Sequence, residues 1–488
     1  MGIDDRALSR RGFLGMSVAA AAGGRSAYRL VEQLAESKPR RFASPKSAPL
    51  PGEQYLFSGT ASITDNGVVV SVPPLFHEVV TATLVVELTV TALKSAQARL
   101  SAALGELERS GLLDYTPAGL GLAVCWGLPY FRSSTLAPVW DKYAPIDLRA
   151  SKLLGVTTPA LLDSIRFTTD PATSVLEAND LCVVMASDSP DHIATAYESL
   201  FTGAVGGLFK VTSRRMGFVD ATRLGQGGQS LTKRFALANK LPAADSIPNT
   251  AELFLGFTST QRSALGPGVI ANLESLGMTN QSRTSYFAMG TTLALSHIYE
   301  DLQSWYAQTY DTRVAALFTP RVANPAITRT GTQTIPESGS PEVESEADVY
   351  ADAARYHTVG HSSSMQSISR LQSSTTDVYG NVYPALTAIP VRADFNTVDH
   401  PFAYSSNPDV DGEGPGPVAG LHFLSYVPSS FFFQQIREAM DGEFQDKPSV
   451  GAAAQRTAFM DVLETTHRQN YLTPSRAHRS FPLVELLD

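Results

Sequence analysis

The chain has 488 residues, 43% of them hydrophobic and 17% charged. That is enough apolar material for a large buried core, and too little charge for coiled coils or disordered acidic tails to dominate. Its 38 basic and 47 acidic groups leave a formal charge of −9, which argues against nucleic acid or an anionic membrane as the main partner.

Residues 9–24, SRRGFLGMSVAAAAGG, read as a twin-arginine export signal. Arg10 and Arg11 precede a mildly apolar stretch too short to span a bilayer. Such a leader is expected to send a folded protein to the periplasm, the cell envelope or the exterior. No clear A-x-A site precedes Tyr28, and residues 25–75 read as a linker and N-terminal extension.

In the body, 81–91 (TATLVVELTVT) predicts a strand leading into an amphipathic helix over 92–109, with Gly111 as its stop signal. A second strand is expected at 119–127. A third at 180–187 (DLCVVMAS) is followed by Ser189-Pro190-Asp191 as the start of a helix to about 203. The same grammar returns at 283–295 (RTSYFAMGTTLAL), leading into a helix at 296–309. It appears again at 420–428 (GLHFLSYVP), leading into a helix at 430–441.

These intervals fit two copies of a β-α-β-β-α-β unit, an α+β fold with antiparallel sheets. The first copy is placed at 76–250 and the second, with long insertions, at 251–445; 446–488 reads as a C-terminal extension. The segments 329–348 and 404–417 lack periodicity and read as loops. Asp409, Asp411 and Glu413 alternate there without the remaining ligands of a calcium loop. Cys125 and Cys182 lie in apolar runs and read as buried thiols, a bridge between them staying open. No CxxC or Cys/His cluster suggests zinc, and no G-x-S-x-G, H-E-x-x-H, Walker or Rossmann fingerprint is present.

Three segments could carry chemistry. In RRMGFVDATR (214–223), Asp220 sits among small apolar residues beside Gly217 and Phe218, a setting that can tune a carboxylate for acid–base work; the plain alternative is a turn aspartate. In RYHTVGHSSSMQSISR (355–370), His357 and His361 are four apart and would share one face of a helix. In AIPVRADFNTVDHPF (388–402), Arg392 is a fixed cation that either faces a cleft or pairs internally with Asp394 or Asp399.

The order and content of these segments resemble the dye-decolorising (DyP-type) haem peroxidases of the dimeric α+β barrel superfamily. The resemblance covers roughly 80–441 and implies two tandem ferredoxin-like halves forming a DyP-like barrel. The family's G-x-x-D-G motif has its counterpart in Gly217-Phe218-Val219-Asp220-Ala221, and a strand-helix with Trp305 and the GLHFLSYVP strand follow in the family's order. By that layout a b-type haem (heme b) would be bound with His361 as iron ligand, near Gly217 and Phe218. Asp220 would be the distal acid–base group and Arg392 the distal cation. The implied partners are hydrogen peroxide, an organic reductant reached through Trp305 or a surface tyrosine, and, in transit, the twin-arginine translocase; a homo-oligomer is compatible with the reading. Ala221 replaces the motif's last glycine, and Ser363 stands where the family carries arginine. These departures favour an alternative, a cofactor-free exported module of the same fold that binds or scaffolds. A third option is a metal-dependent oxidoreductase using His357 and His361.

Overall fold

A computed structural model of the chain describes residues 50–55, 73–112, 119–202, 205–219, 228–249, 251–256, 268–320, 345–398, 417–445, 447–456 and 459–488, the single residues 31 and 34, and the backbone of 62–65 and 68–71. The leader, Asp220, Asp399, His400, the acidic triplet 409–413 and most of the segment 329–348 lie outside the described residues. Among the described residues no helix is long and apolar enough to cross a membrane.

The first half runs β1 (Phe76–Leu84), α1 (Val90–Arg109), β2 (Gly121–Gly127), β3 (Leu181–Ser187), α2 (Pro190–Tyr197) and β4 (Phe209–Phe218). Thr89 caps α1 by accepting from the Ala92 N–H, and Leu93, Ala96, Leu100, Leu104 and Leu107 recur every three or four residues along its buried face. That face covers the outward side of β2 and β3, in one core with Leu122, Val124, Leu181 and Val183. Each leucine buried there contributes on the order of 2 kcal/mol.

The second half runs β5 (Thr291–Glu300), α3 (Leu302–Ala307), α4 (Tyr310–Leu317), α5 (Glu346–Tyr356), α6 (His361–Ser369), β6 (Val391–Arg392), β7 (Phe395–Thr397), β8 (Gly420–Val427), α7 (Ser430–Met440) and β9 (Leu463–Thr473). Neighbouring strands follow the order β4-β1-β3-β2 in the first half and β7-β8-β5-β9 in the second. Counted within each half, with the short β6 set aside, the first order is fourth-first-third-second and the second is the same when read from β9; the expected duplication and the α+β class hold. Antiparallel bridges β2–β9 and β4–β7 join the halves, so eight strands close into a barrel.

Strand alternation then fixes what faces where. Val79, Cys125, Val184, Leu293, Leu295, Phe395, Leu424 and Tyr426 point into the barrel and form its apolar centre. Cys125 and Cys182 are opposite each other on β2 and β3, buried and unbridged.

Several boundaries differ from the sequence reading. β1 begins at Phe76 and stops at Leu84, because Val85 and Leu88 are exposed beyond the sheet. The expected helix at 296–309 starts only after Asp301, its N-cap; Ser296 to Glu300 continue β5, held between β8 and β9. Pairing on both sides outweighs the local helical pattern. The segment read as a C-terminal extension supplies β9, which pairs with β5 along ten of its residues and is the fourth strand of the second half.

Candidate active site

Between the outward face of β5, β8 and β9 and the helices α6 and α7 lies a cavity of about 1020 Å³, counting its open mouth. Most of its wall is apolar, with Leu255, Phe318, Met365, Leu421, Phe433 and Phe459 prominent. The polar groups are few: His361 from α6, Arg392 and Asp394 from β6 and just beyond it, Arg437 from α7, and Ser296, Thr465 and Arg468 from β5 and β9.

His361 is the first residue of α6. The preceding Gly360 lets the chain pass against α4: a Cβ there would lie 2.0 Å from the Phe318 carbonyl oxygen, and the Ser363 N–H donates to that same oxygen at 3.1 Å. The imidazole therefore enters the cavity from a fixed helix start, with its ring edge-on to Phe459 at 4.7 Å. Its Nδ1 is buried and makes no hydrogen bond. Burial, reinforced by the positive charges of Arg437 and Arg392, pulls its pKa down to about 3. The ring is neutral at ordinary pH and presents a lone pair.

His357 does not share that helix face. It ends α5 in a left-handed conformation (φ 56°) and is exposed, so the two histidines belong to different helices. Ser363, where the resembled family has arginine, is fully buried.

On the sheet side, Arg392 Nη1 lies 3.7 Å from Asp394 Oδ2. Asp394 Oδ1 accepts from the Leu424 N–H at 3.1 Å. Burial pushes the Asp394 carboxyl up to about 6, although Arg392 and the Leu424 N–H favour its charged form. Deeper in, Arg468 donates to both oxygens of Asp170, to the Ile165 carbonyl and to Ser296. Arg437 pairs with Asp441 at 2.5 Å, donates to Thr169 and lies 3.7 Å from Asp170. Both guanidinium groups lie over the Phe167 ring. Burial pushes Asp170 up, but the hydrogen bonds and charge of Arg468, with Arg437 behind, outweigh this and hold it below the usual range.

The structure thus brings His361 and Arg392 to one cavity from separate segments of the chain. Gly217 and Phe218 are not in its wall. A Cβ at Gly217 would meet the Asn396 carbonyl oxygen at 2.0 Å, so glycine there lets β7 lie against β4; Phe218 is buried against Phe235 and Phe254. They fix the strand that directly follows Arg392 and Asp394. Asp220 comes two residues after Phe218 and lies outside the described residues. Arg437 and Arg468 were not singled out from the sequence. Their only signal was an arginine within an apolar helix (SFFFQQIREAM) and another within a strand-like run (THRQNYL).

Residues 74–475 match the model of a family described as a family of unknown function, DUF7405. The chain belongs to that family. No curated protein matches the chain. Among solved structures, this DUF7405 member is similar to a dye-decolorizing protein from V. cholerae, at 12% identity and a TM-score of 0.46, over 84% of this chain and 97% of that one. It is also similar to a dye-decolorizing peroxidase from Bacteroides thetaiotaomicron, at 13% identity and 0.48, over 88% and 99%. A DyP-type peroxidase from Cellulomonas bogoriensis is similar at 16% identity and 0.48, over 87% and 99%.

The donor set of the DUF7405 member fits a haem. A neutral imidazole and the Arg392 guanidinium, the latter from the sheet side, line one mostly apolar cavity.

Proposed function

We propose that the chain is an exported haem-dependent peroxidase, reducing hydrogen peroxide at the expense of an organic reductant. The observation that carries this reading is the meeting of His361 and Arg392 in one apolar cavity, the histidine held neutral. Bound there, haem would supply iron able to cleave the O–O bond and to hold the oxidising equivalents until the reductant fills them. His361 would hold that iron through an uncharged ring nitrogen, and the helix start at Gly360 would fix the ring's direction. Arg392 would stabilise the negative charge that builds on the departing peroxide oxygen, and the apolar walls would strengthen that attraction by excluding water. Electrons have an aromatic route: Trp305 is fully buried, 5.3 Å from Phe459, which in turn touches His361. The twin-arginine leader at 9–24 is part of the same proposal, since that route carries proteins already folded around a cofactor.

The alternative, a cofactor-free module of the same fold, draws support from the His361 Nδ1, which lacks the acceptor that usually orients a ligating imidazole. Titration of the purified apoprotein with hemin separates the two. The peroxidase reading expects stoichiometric uptake with a Soret band that His361→Ala shifts or abolishes. An unchanged band in that variant rules out His361 as the ligand, and no uptake by the wild type leaves the cofactor-free reading standing.

A further inference from the structure

Among the described residues, Asp394 is the only carboxylate in the cavity wall. The acids deeper in the site are committed: Asp170 is held by Arg468, and Asp441 by Arg437 and Thr169. Asp394 is held at one oxygen only. Its Oδ1 is anchored to β8 through the Leu424 N–H, while Oδ2 makes no hydrogen bond and lies 3.7 Å from Arg392. The side chain is 10% exposed and lines the cavity. A carboxylate anchored at one oxygen and open at the other, beside a permanent cation, is the arrangement a proton-transfer group requires.

We propose that Asp394 is the proton carrier of this cavity, taking a proton from one oxygen of hydrogen peroxide at Oδ2 and delivering it to the other, with Arg392 as electrostatic partner. The inference rests on the peroxidase reading. In the step, the O–H bond of one peroxide oxygen breaks and its proton goes to Asp394. The O–O bond then breaks with its electron pair going to the far oxygen. That oxygen takes the proton back from Asp394 and leaves as water, so the carboxylate is regenerated. The oxygen that stays behind is left two electrons short, and two electrons and two protons from the organic reductant would release it as a second water. The titratable and charged groups that share the cavity wall with Asp394 are all cationic or neutral, namely Arg392, His361, Arg437 and Arg468, and Arg392 is the one whose charge acts on it. Its poise near pH 6 comes from burial rather than from a neighbouring acid, so the charged, proton-accepting form dominates above that pH.

The test has two readouts. In the apoprotein, the infrared band of a protonated carboxyl group is expected to titrate with a midpoint near 6 and to vanish in Asp394→Asn, which keeps the acceptor for Leu424. In the hemin-loaded protein, Asp394→Asn is expected to keep its Soret band, lose on the order of 100-fold in peroxide turnover, and lose the rise in rate through pH 6. Asp220→Asn, measured beside it, is expected to keep that rise. The proposal is overturned if Asp394→Asn loads haem and turns over peroxide within about tenfold of wild type. It is equally overturned if Asp220→Asn alone removes the pH limb. Should the wild type take up no haem, the peroxide role falls with the reading beneath it, and the apoprotein titration still shows separately whether Asp394 is poised as described.

Discussion

Replacing Glu300 by glutamine probes how far burial alone governs the charge states around this cavity. Glu300 ends β5, the strand whose Ser296 and Ile298 line the cavity, and it is 1% exposed. Neither carboxylate oxygen has a hydrogen-bond partner. Burial pushes its pKa up to about 8 from a reference of 4.5. A carboxyl group whose pKa is raised on folding stabilises the fold fully below the unfolded value, and that contribution is lost as pH rises through the folded value. Integrating at about 1.36 kcal/mol per pH unit, the wild type should lose about 4 kcal/mol from this residue between about pH 4.5 and pH 8.5. The uncharged amide of the Glu300→Gln variant removes the slope, at a cost of about 1 kcal/mol for its own unmet donors. Urea unfolding of both proteins at about pH 4.5, 7 and 8.5 reads the effect, with other titrating groups cancelling in the difference. The variant should be slightly less stable than wild type at about pH 4.5 and more stable by about 3 kcal/mol at about pH 8.5. Stabilities that run parallel across this range would refute the reasoning.

Two further outcomes follow from the same site. Arg468→Met removes the bidentate partner of Asp170, whose nearest remaining cation is Arg437 at 3.7 Å; a loss of about 3–5 kcal/mol is expected in chemical unfolding, and Asp170→Asn in the same chain should recover part of it. Because His361 is held neutral down to about pH 3, hemin affinity should stay flat from about pH 8 to about pH 5 rather than fall near 6.5, as it would for an ordinary histidine; a midpoint near 6.5 in the titration would place the ring in water.

Local pattern carried most of the secondary structure. Continuous apolar runs marked Leu181–Ser187 and Gly420–Val427 as strands, and the Ser/Pro breaks after them marked the helices Pro190–Tyr197 and Ser430–Met440. Those signals depend on residues within a few positions of one another, so the sequence holds them whole. Where pairing partners decide instead, the pattern misled: Ser296–Glu300 is a strand because β8 and β9 flank it, and His357 and His361 are parted because His357 itself turns left-handed and ends its helix.

The amino-acid sequence by itself therefore determined the duplicated α+β plan, the buried thiols and the candidate status of His361 and Arg392. Each follows from residue type and near-neighbour spacing. Only the tertiary structure decided that those two side chains meet in one cavity, that Arg437, Arg468 and Asp394 join them, and that β9 completes the barrel. The physical reason is closure of the sheet. It joins strands hundreds of residues apart and, by alternation along each strand, sends every second side chain either into the barrel or out to the cavity beneath α6 and α7.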